Sequence, residues 1–155
     1  MVAEHIYKQY DTDLEAIRAK VLEMGGIVEE QLADCVSSLI NADGKLADSV
    51  IKKDMRVNAL ESEIDEDCSL IIAKRSPAAR DLRNLLMMLK IITDLERIGD
   101  EASKIAKATH RIYDENRMIK PRTKEIQSIF ETLRFMLRTA LNSFARLDVT
   151  ETIDV

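Results

Sequence analysis

The sequence contains few of the residues that interrupt helices and few aromatic residues. Its 155 residues include only 4 glycines, 2 prolines, 3 tyrosines, 3 phenylalanines and no tryptophan. Hydrophobic residues make up 46% of the chain and charged residues 33%. Such a composition, rich in good helix formers and poor in breakers, predicts an all-α protein. The length is sufficient for a real hydrophobic core.

Three further shortages exclude whole classes of protein. The two cysteines, Cys35 and Cys68, lack CxxC spacing and lie in helical patterns, so we expect two reduced, buried thiols. No apolar run approaches the ~18 residues of a membrane span, and the N-terminus carries no signal-peptide pattern. We therefore expect a cytoplasmic protein. The net charge of −5 gives no support for nucleic-acid binding.

Apolar residues recur at helical spacing and predict four long helices. These run over about 12–40, 45–74, 78–113 and 124–147, with a turn at 41–44 and a polar loop at 114–123. The acidic and hydroxyl residues at 11–13 are expected to cap the first helix, and a turn at 148–150 is expected to precede the start of another helix. Long helices joined by short links are typical of an up-down antiparallel bundle.

Two glycines, Gly25 and Gly26, fall in the middle of the first helix. Each costs about 1 kcal/mol relative to alanine in a helix. A close approach by another helix would explain them, and so would a local kink; we favour the close approach. The fourth helix has a broad apolar face, and burying each Leu, Ile or Phe side chain is worth about 1.5–3 kcal/mol. We expect this face to pack on the first three helices or on another copy of the chain, by exchange of helices in a dimer.

Acidic residues interrupt the apolar stripe of the third helix. At ~100° of rotation per residue, Leu85, Leu89 and Ile92 fall within roughly 40° of Glu96. Asp100 lies about 40° from Glu96, on the same side. Ionised carboxylates on a buried face are costly unless they are paired or bound to a cation. This conflict between charge and position is the most informative feature of the sequence.

The second helix repeats the arrangement with Glu61 and Asp65, again four residues apart. Asp54 lies one to two turns earlier at a similar angle. We call Glu61, Asp65, Glu96 and Asp100 the carboxylate quartet. We predict that its members converge where the second and third helices meet, because packed helices lie only about 8–10 Å apart.

Two explanations for the carboxylate quartet remain open at this point: a cation site, or interhelical salt bridges with Arg or Lys. Carboxylate oxygens are hard ligands that suit Mg, Ca, Mn or Fe, and the lack of clustered cysteines excludes a zinc–thiolate site. An oxygen-activating di-iron bundle would use Glu-x-x-His pairs. Neither His5 nor His110 follows a glutamate at that spacing. No nucleophile–base arrangement and no phosphate-binding glycine loop is evident, so the sequence does not predict an enzyme.

Several short motifs resemble those of the PhoU family of bacterial phosphate-uptake regulators. The signature is DLERIGD at 94–100, and the other matches are MGG at 24–26, IDE at 64–66, IAKR at 72–75 and DLR at 81–83. The resemblance spans essentially the whole chain. The family's metal motif, Glu/Asp-x-x-x-Asp, maps onto Glu61 with Asp65 and onto Glu96 with Asp100. In the family, such motifs hold iron or manganese, sometimes as multinuclear clusters.

The resemblance implies an elongated antiparallel bundle built from three-helix repeats. The first repeat would occupy residues 1–115, and residues 116–155 would supply the loop and first helix of a second repeat whose own signature motif is absent from the chain. PhoU-like proteins are cytoplasmic, commonly dimeric, and are regulators rather than enzymes. They link the phosphate-specific ABC transporter and its ATPase to a membrane sensor histidine kinase, and they keep the phosphate-starvation response off when phosphate is plentiful.

Two other functions remain as alternatives to this expectation. The same carboxylates would serve a metal-dependent enzyme or a metal-storage bundle. They would also suit a purely structural helical domain in which the acids make salt bridges.

Overall fold

The computed structural model describes the backbone of residues 2–114 and 122–146 and the side chains of residues 10–113 and 122–146. Within this part of the chain lie four helices: α1 (Val2–Asn41), α2 (Gly44–Arg75), α3 (Ala79–Asp114) and α4 (Thr123–Arg146). The first three pack against one another, and α4 packs on α1. The predicted all-α bundle is confirmed.

The sequence prediction was wrong about the start of α1. The helix begins at Val2 and runs through residues 11–13, which were expected to cap it. Tyr10 is buried in the core, so apolar packing continues beyond the predicted stripe. Asp13, instead of capping, forms an ion pair of 2.9 Å with Arg75 at the end of α2. The bounds of α2, α3 and α4 agree with the predictions to within one residue.

The predicted turn between α1 and α2 is confirmed. Ala42 adopts a positive φ of 55°, and the amide of Asp43 donates to the carbonyl of Ser38 at 2.9 Å. The Asp43 carboxylate then caps α2 by accepting a hydrogen bond from the amide of Leu46 at 3.0 Å. This bond satisfies one of the free amides at the start of the helix. The turn therefore sets α2 directly against α1.

The core of the bundle is apolar over most of its length. One cluster of buried residues joins the three helices through side chains such as Val21, Ile64 and Leu85, and a second cluster contains Cys35. Both cysteines are free and buried, as predicted. Burial raises the pKa of Cys35 to about 12 and that of Cys68 to about 11, so both thiols are protonated at neutral pH.

Helix α4 crosses α1 closely at Gly25. A methyl group at Gly25 would overlap the side chain of Leu141, whereas Gly26 has no neighbour within 4 Å of such a group. The close approach is thus confirmed for Gly25 and explains only that glycine. Arg138 of α4 forms an ion pair with Glu29 of α1 beside this crossing.

One side of α4 packs on the bundle and the other is open. Leu137, Leu141 and Phe144 contact the larger core cluster, which confirms that α4 packs on the three-helix bundle, with its closest approach to α1. Ile129 and Phe135 are 59% and 63% exposed. The exchange of helices between two copies stays a prediction.

Some predictions fall outside the described residues. These are most of the loop at 114–123, the turn at 148–150 and the start of a further helix. The division into repeats at 1–115 and 116–155 also stays a prediction. No helix in the described ranges 2–114 and 122–146 is long and apolar enough to cross a membrane.

The contrast between the two neighbouring glycines gives the first testable prediction. Gly25→Ala should lower the free energy of unfolding, because overpacking costs about 1–3 kcal/mol and exceeds the gain of about 0.5–1 kcal/mol from replacing a helical glycine. Gly26→Ala should raise it by about 0.5–1 kcal/mol. Urea unfolding of both variants measures the difference, and equal effects would show that Leu141 does not constrain α1.

Candidate metal centre

Glu61 of α2 and Glu96 of α3 lie within electrostatic reach of each other across the interface of these helices. Both side chains are half-buried. Their backbones are held in place by fully or almost fully buried neighbours, Leu60 on α2 and Leu95 on α3. Burial raises the pKa of the Glu61 carboxyl, and the negative charges of Glu96 and Asp65 raise it further. The two helices therefore bring like charges together in a partly dehydrated place.

The other two members of the carboxylate quartet lie further out. Asp65 is exposed. Asp100 is 42% exposed and forms an ion pair of 2.8 Å with Lys104, one turn along the same helix. Lys104 also contacts Glu101 at 2.8 Å, and hydrogen bonds to the two acids raise the pKa of the lysine. An exposed pair of this kind contributes little to stability, so it can be exchanged for another partner at small cost.

The carboxylate quartet does not form a complete set of ligands in this structure. Within the side chains described at 10–113 and 122–146, no three His, Cys, Asp or Glu residues are grouped closely enough to hold a metal ion. Glu61 is in electrostatic reach of Glu96 and Asp65, and Asp100 is paired with Lys104. The convergence of all four thus stays a prediction.

Salt bridges between helices form on a different face of α2. Lys53 contacts Asp34 of α1 at 2.7 Å, and Arg56 contacts Glu23 of α1 at 2.8 Å. On the face toward α3, by contrast, Glu61, Asp65 and Glu96 have no ion pair with any described residue, and Asp100 pairs only within its own helix. The salt-bridge explanation thus fits the α1–α2 interface and not the carboxylate quartet.

Asp54 brings a fifth carboxylate close to the same interface. Its Oδ1 atom is buried and receives no hydrogen bond within the described structure. This oxygen lies 3.7 Å from the position that a methyl group on Gly99 would take. The sequence indicated Asp54 only as an additional oxygen near Glu61. Its buried, unpartnered oxygen is the stronger indication, because such an atom is costly unless a donor or a cation reaches it.

Sequence reasoning missed Gln31 of α1. Its side chain is fully buried, and its Oε1 atom has no hydrogen-bond partner in the described residues. The signal was available, since Gln31 stands at helical spacing between Val28 and Cys35, both fully buried. A buried amide in an apolar stripe is the same kind of conflict as a buried acid.

These residues fit a hard cation. Glu61 and Glu96 repel each other, Asp54 presents an orphaned oxygen, and the available donors are oxygens, which suit Mn, Fe, Mg or Ca. A bound cation would supply the positive charge that the interface lacks. Glu61, Glu96 and Asp54 offer oxygens near this interface, although they are not grouped as a ligand set in the described structure.

Comparison with known proteins identifies the family. The sequence profile of the PhoU domain matches residues 21–109. A PhoU homolog from Pseudomonas putida is named as an accessory protein of the phosphate-specific transport system. It is 43% identical to this chain over 155 residues, and the match covers 99% of this chain and 60% of the relative. The chain belongs to the PhoU family. The PhoU accessory protein of Escherichia coli K12 is 40% identical, covering 98% of this chain and 62% of the relative.

Solved structures of PhoU proteins share the fold. Crystal structures of PhoU from Pseudomonas aeruginosa and of the phosphate transport system regulatory protein PhoU from Streptococcus pneumoniae superpose with TM-scores of 0.88 and 0.82, at 41% and 26% identity. Each covers 94% of this chain, which spans 69% and 67% of the two structures. The chain spans about 60% of the length of the curated relatives. These relatives carry the names of accessory and regulatory proteins, in agreement with the prediction of a regulator rather than an enzyme.

The raised pKa of Glu61 predicts how the metal-free protein responds to pH. The pKa of Glu61 is raised in the folded state above its ordinary value of 4.5. Protonation of this carboxyl therefore stabilises the fold fully below pH 4.5, and this stabilisation is lost as the pH rises through the folded-state pKa. Glu61→Gln should therefore make the protein more stable at pH 7 in the presence of a chelator and should flatten the fall in stability above about pH 4.5. Urea unfolding at several pH values provides the test.

Glu66→Gln is a matched control for that experiment, because Glu66 is exposed on the same helix. It should leave the pH dependence as it is in the parent protein. A Glu61→Gln variant that is less stable than the parent at pH 7 without metal would contradict the repulsion described above.

Proposed function

We propose that this chain acts as a negative regulator of phosphate uptake and of the phosphate-starvation response. The observation that carries the proposal is the family relationship, which covers 98–99% of the chain in relatives named as accessory proteins of the phosphate-specific transport system. The relative from Streptococcus pneumoniae is named as a regulatory protein of phosphate transport. A role in controlling that transport is the function these relationships support.

The proposed mode of action is that of a cytoplasmic adaptor. In this role the chain contacts the ATPase of the phosphate ABC transporter and a sensor histidine kinase, and its own helices do not enter the bilayer. The family resemblance supports both partners. When phosphate is plentiful, the adaptor would restrain the kinase and so keep the phosphate-starvation response off.

The adaptor is proposed to bind iron or manganese at the α2–α3 interface through the carboxylate quartet, assisted by Asp54. Three observations support the site. The pKa of Glu61 is raised by burial and by neighbouring acids, Glu96 has no ion pair among the described residues, and Asp54 Oδ1 is buried without a donor. A cation would neutralise the repulsion and join α2 to α3, so its occupancy would control how firmly this face of the bundle is held.

We further propose that the chain forms a homodimer through α4. The exposed apolar residues of α4 support this, because an open face carrying Ile129 and Phe135 loses contact with water when a second copy covers it. A dimer would present two copies of the regulator to its partners.

Metal binding predicts a change in melting temperature. Added Mn²⁺ should stabilise the folded protein by about 2.7 kcal/mol when the free ion is at a hundredfold excess over its Kd. Glu96→Gln should remove most of this effect, because the variant keeps the shape of the side chain but lacks the charge that binds the cation. Thermal unfolding with and without Mn²⁺ measures both. If Glu96→Gln gains as much stability as the parent, the site is wrong.

The regulatory role predicts the outcome of a gene deletion. A reporter of the phosphate-starvation response should become active in high phosphate when the gene is removed, and the parent gene should restore repression. Unchanged repression after deletion would contradict the role. Turnover of phosphate esters, or oxygen consumption with iron, would instead support the metal-dependent enzyme that the sequence left as an alternative.

The proposed dimer predicts a concentration-dependent change in mass. Sedimentation velocity of the parent chain should show a dimer at high concentration, and Ile129→Glu should weaken it by placing a charge on the apolar face. Gln127→Glu, a change at an exposed polar position nearby, should leave the dimer intact. A parent chain that remains monomeric at high concentration would exclude the interface.

A further inference from the structure

The outward face of the first half of α3 carries positive charge that no acid of the bundle neutralises. Of the nine exposed residues of α3 between positions 80 and 97, four are basic and one is acidic: Arg80, Arg83, Lys90 and Arg97 against Asp94. None of the four cations forms an ion pair within the described parts of the chain. We call these nine exposed residues the basic face.

The basic face differs from the rest of the bundle in how its charges are balanced. Lys20, Lys53 and Arg56 each form ion pairs with two acids on α1 or α2. The basic face, with four cations and one acid, keeps a net charge of +3 in a chain whose total charge is −5. A local excess of one sign favours association with a surface of the opposite sign.

The cations of the basic face are regularly spaced. Arg83, Lys90 and Arg97 are seven residues apart. Seven residues are two turns of a helix less about 20°, so these side chains form a nearly straight row with a spacing of about 10.5 Å. A second helix that runs alongside repeats its own surface at the same interval. Acids repeated every seven residues on such a helix would each meet one cation of the row.

Two apolar side chains lie between the cations. Leu86 and Met87, between Arg83 and Lys90, are 53% and 42% exposed. Methionine and arginine are both enriched at protein interfaces, whereas apolar contact adds nothing to the binding of nucleic-acid phosphates. A helix that lies in a lipid surface needs a long apolar face, and two side chains do not provide one. The combination favours a protein partner.

The packing of α3 fixes the direction in which the basic face points. Leu85, Met88 and Ile92 are at most 2% exposed and hold the opposite side of the helix in the core. On the side toward α2, Glu96 lies in electrostatic reach of Glu61. These two acids would repel an acidic partner at that edge and confine it to the row of cations.

We propose that the basic face of α3 is a docking site for an acidic helical segment of a partner protein. Asp or Glu side chains repeated every seven residues on that segment pair with Arg83, Lys90 and Arg97. An apolar residue between them contacts Leu86 and Met87. The proposal rests on the adaptor role proposed above and names the surface that performs it.

The test is a fluorescence anisotropy titration of the chain with two labelled synthetic helices of identical composition. One carries Glu at seven-residue spacing beside Leu, and in the other the Glu positions are shuffled. The parent should bind the regular helix about tenfold more tightly than the shuffled one, and rising salt should weaken the binding. Equal affinity for the two helices, or binding of neither, would overturn the proposal. So would binding only to vesicles of phosphatidylcholine and phosphatidylserine, which would indicate a lipid surface instead.

Two double variants locate the binding on the chain. Arg83→Glu with Arg97→Glu should weaken binding of the regular helix by about tenfold or more, because it sets like charges opposite each other. Lys45→Glu with Lys52→Glu is the matched control, since it makes the same change in net charge at exposed lysines of α2 without ion pairs among the described residues. Equal weakening by both would show a general effect of charge and overturn the proposal.

Leu86→Ala keeps the test decisive if the charge reversal prevents folding. This variant removes an apolar contact and leaves the cations, so it should weaken binding severalfold with the same dependence on salt as the parent. An unchanged affinity for the regular helix would contradict docking at this face.

A test in cells separates this proposal from the regulatory role. In a strain that lacks the gene, the parent and the α2 double variant should restore repression of the phosphate-starvation reporter, whereas Arg83→Glu with Arg97→Glu should not. Restoration by that variant would overturn docking at the basic face and leave the regulatory role standing. Failure of the parent to restore repression would count against the regulatory role, and the peptide titration would still decide what the basic face binds.

Discussion

The closeness of like charges at Glu61 and Glu96 is the constraint on which the account of the α2–α3 interface depends. Buried apolar side chains on both helices, Leu60 and Ile64 on one and Ile92 and Leu95 on the other, set the distance between them. The acids cannot separate without opening this packing. This proximity and burial raise the pKa of Glu61, and a bound cation would relieve the same repulsion.

Charged side chains are paired differently at the α1–α2 and α2–α3 interfaces. Between α1 and α2, acids meet lysine or arginine, as in the contact of Lys20 with Asp67 at 2.7 Å. Toward α3, Asp48 of α2 contacts His110 at 2.9 Å, whereas Glu61, Asp65 and Glu96 have no ion pair among the described residues. The unpaired acids beside Glu61 are the part of this interface on which the proposed cation site rests. Loss or gain of the ion would then alter one interface while the salt bridges preserve the other.

The sequence was sufficient for the helices and for the half-buried positions of Glu61 and Glu96. Apolar periodicity placed α2, α3 and α4 to within one residue, because long buried stripes leave little freedom. It failed at the start of α1, where Tyr10 extends the packing beyond the stripe. The angular projection correctly placed Glu61 and Glu96 at the edge of their apolar faces, since that depends only on helix geometry.

The remaining details of the site depend on side chains that meet in three dimensions. A helical projection cannot show that Asp100 pairs with Lys104, because the Asp100 side chain can reach both the helix interface and the next turn of its own helix. It also cannot show that Gln31 and Asp54 both pack close to Gly99, since these residues come from three helices. The buried amide was visible in the α1 stripe, but its missing partner was visible only in the structure.

The presence of a hard cation at the α2–α3 interface is tested most directly by elemental analysis of the chain purified without chelators. If the acids of this interface hold the ion, iron or manganese should remain with the protein after gel filtration, in at least equimolar amount. A chelator should then remove the metal with a loss of thermal stability. Protein that emerges free of iron, manganese, magnesium and calcium, and whose melting temperature does not change when these ions are returned, would contradict the cation site.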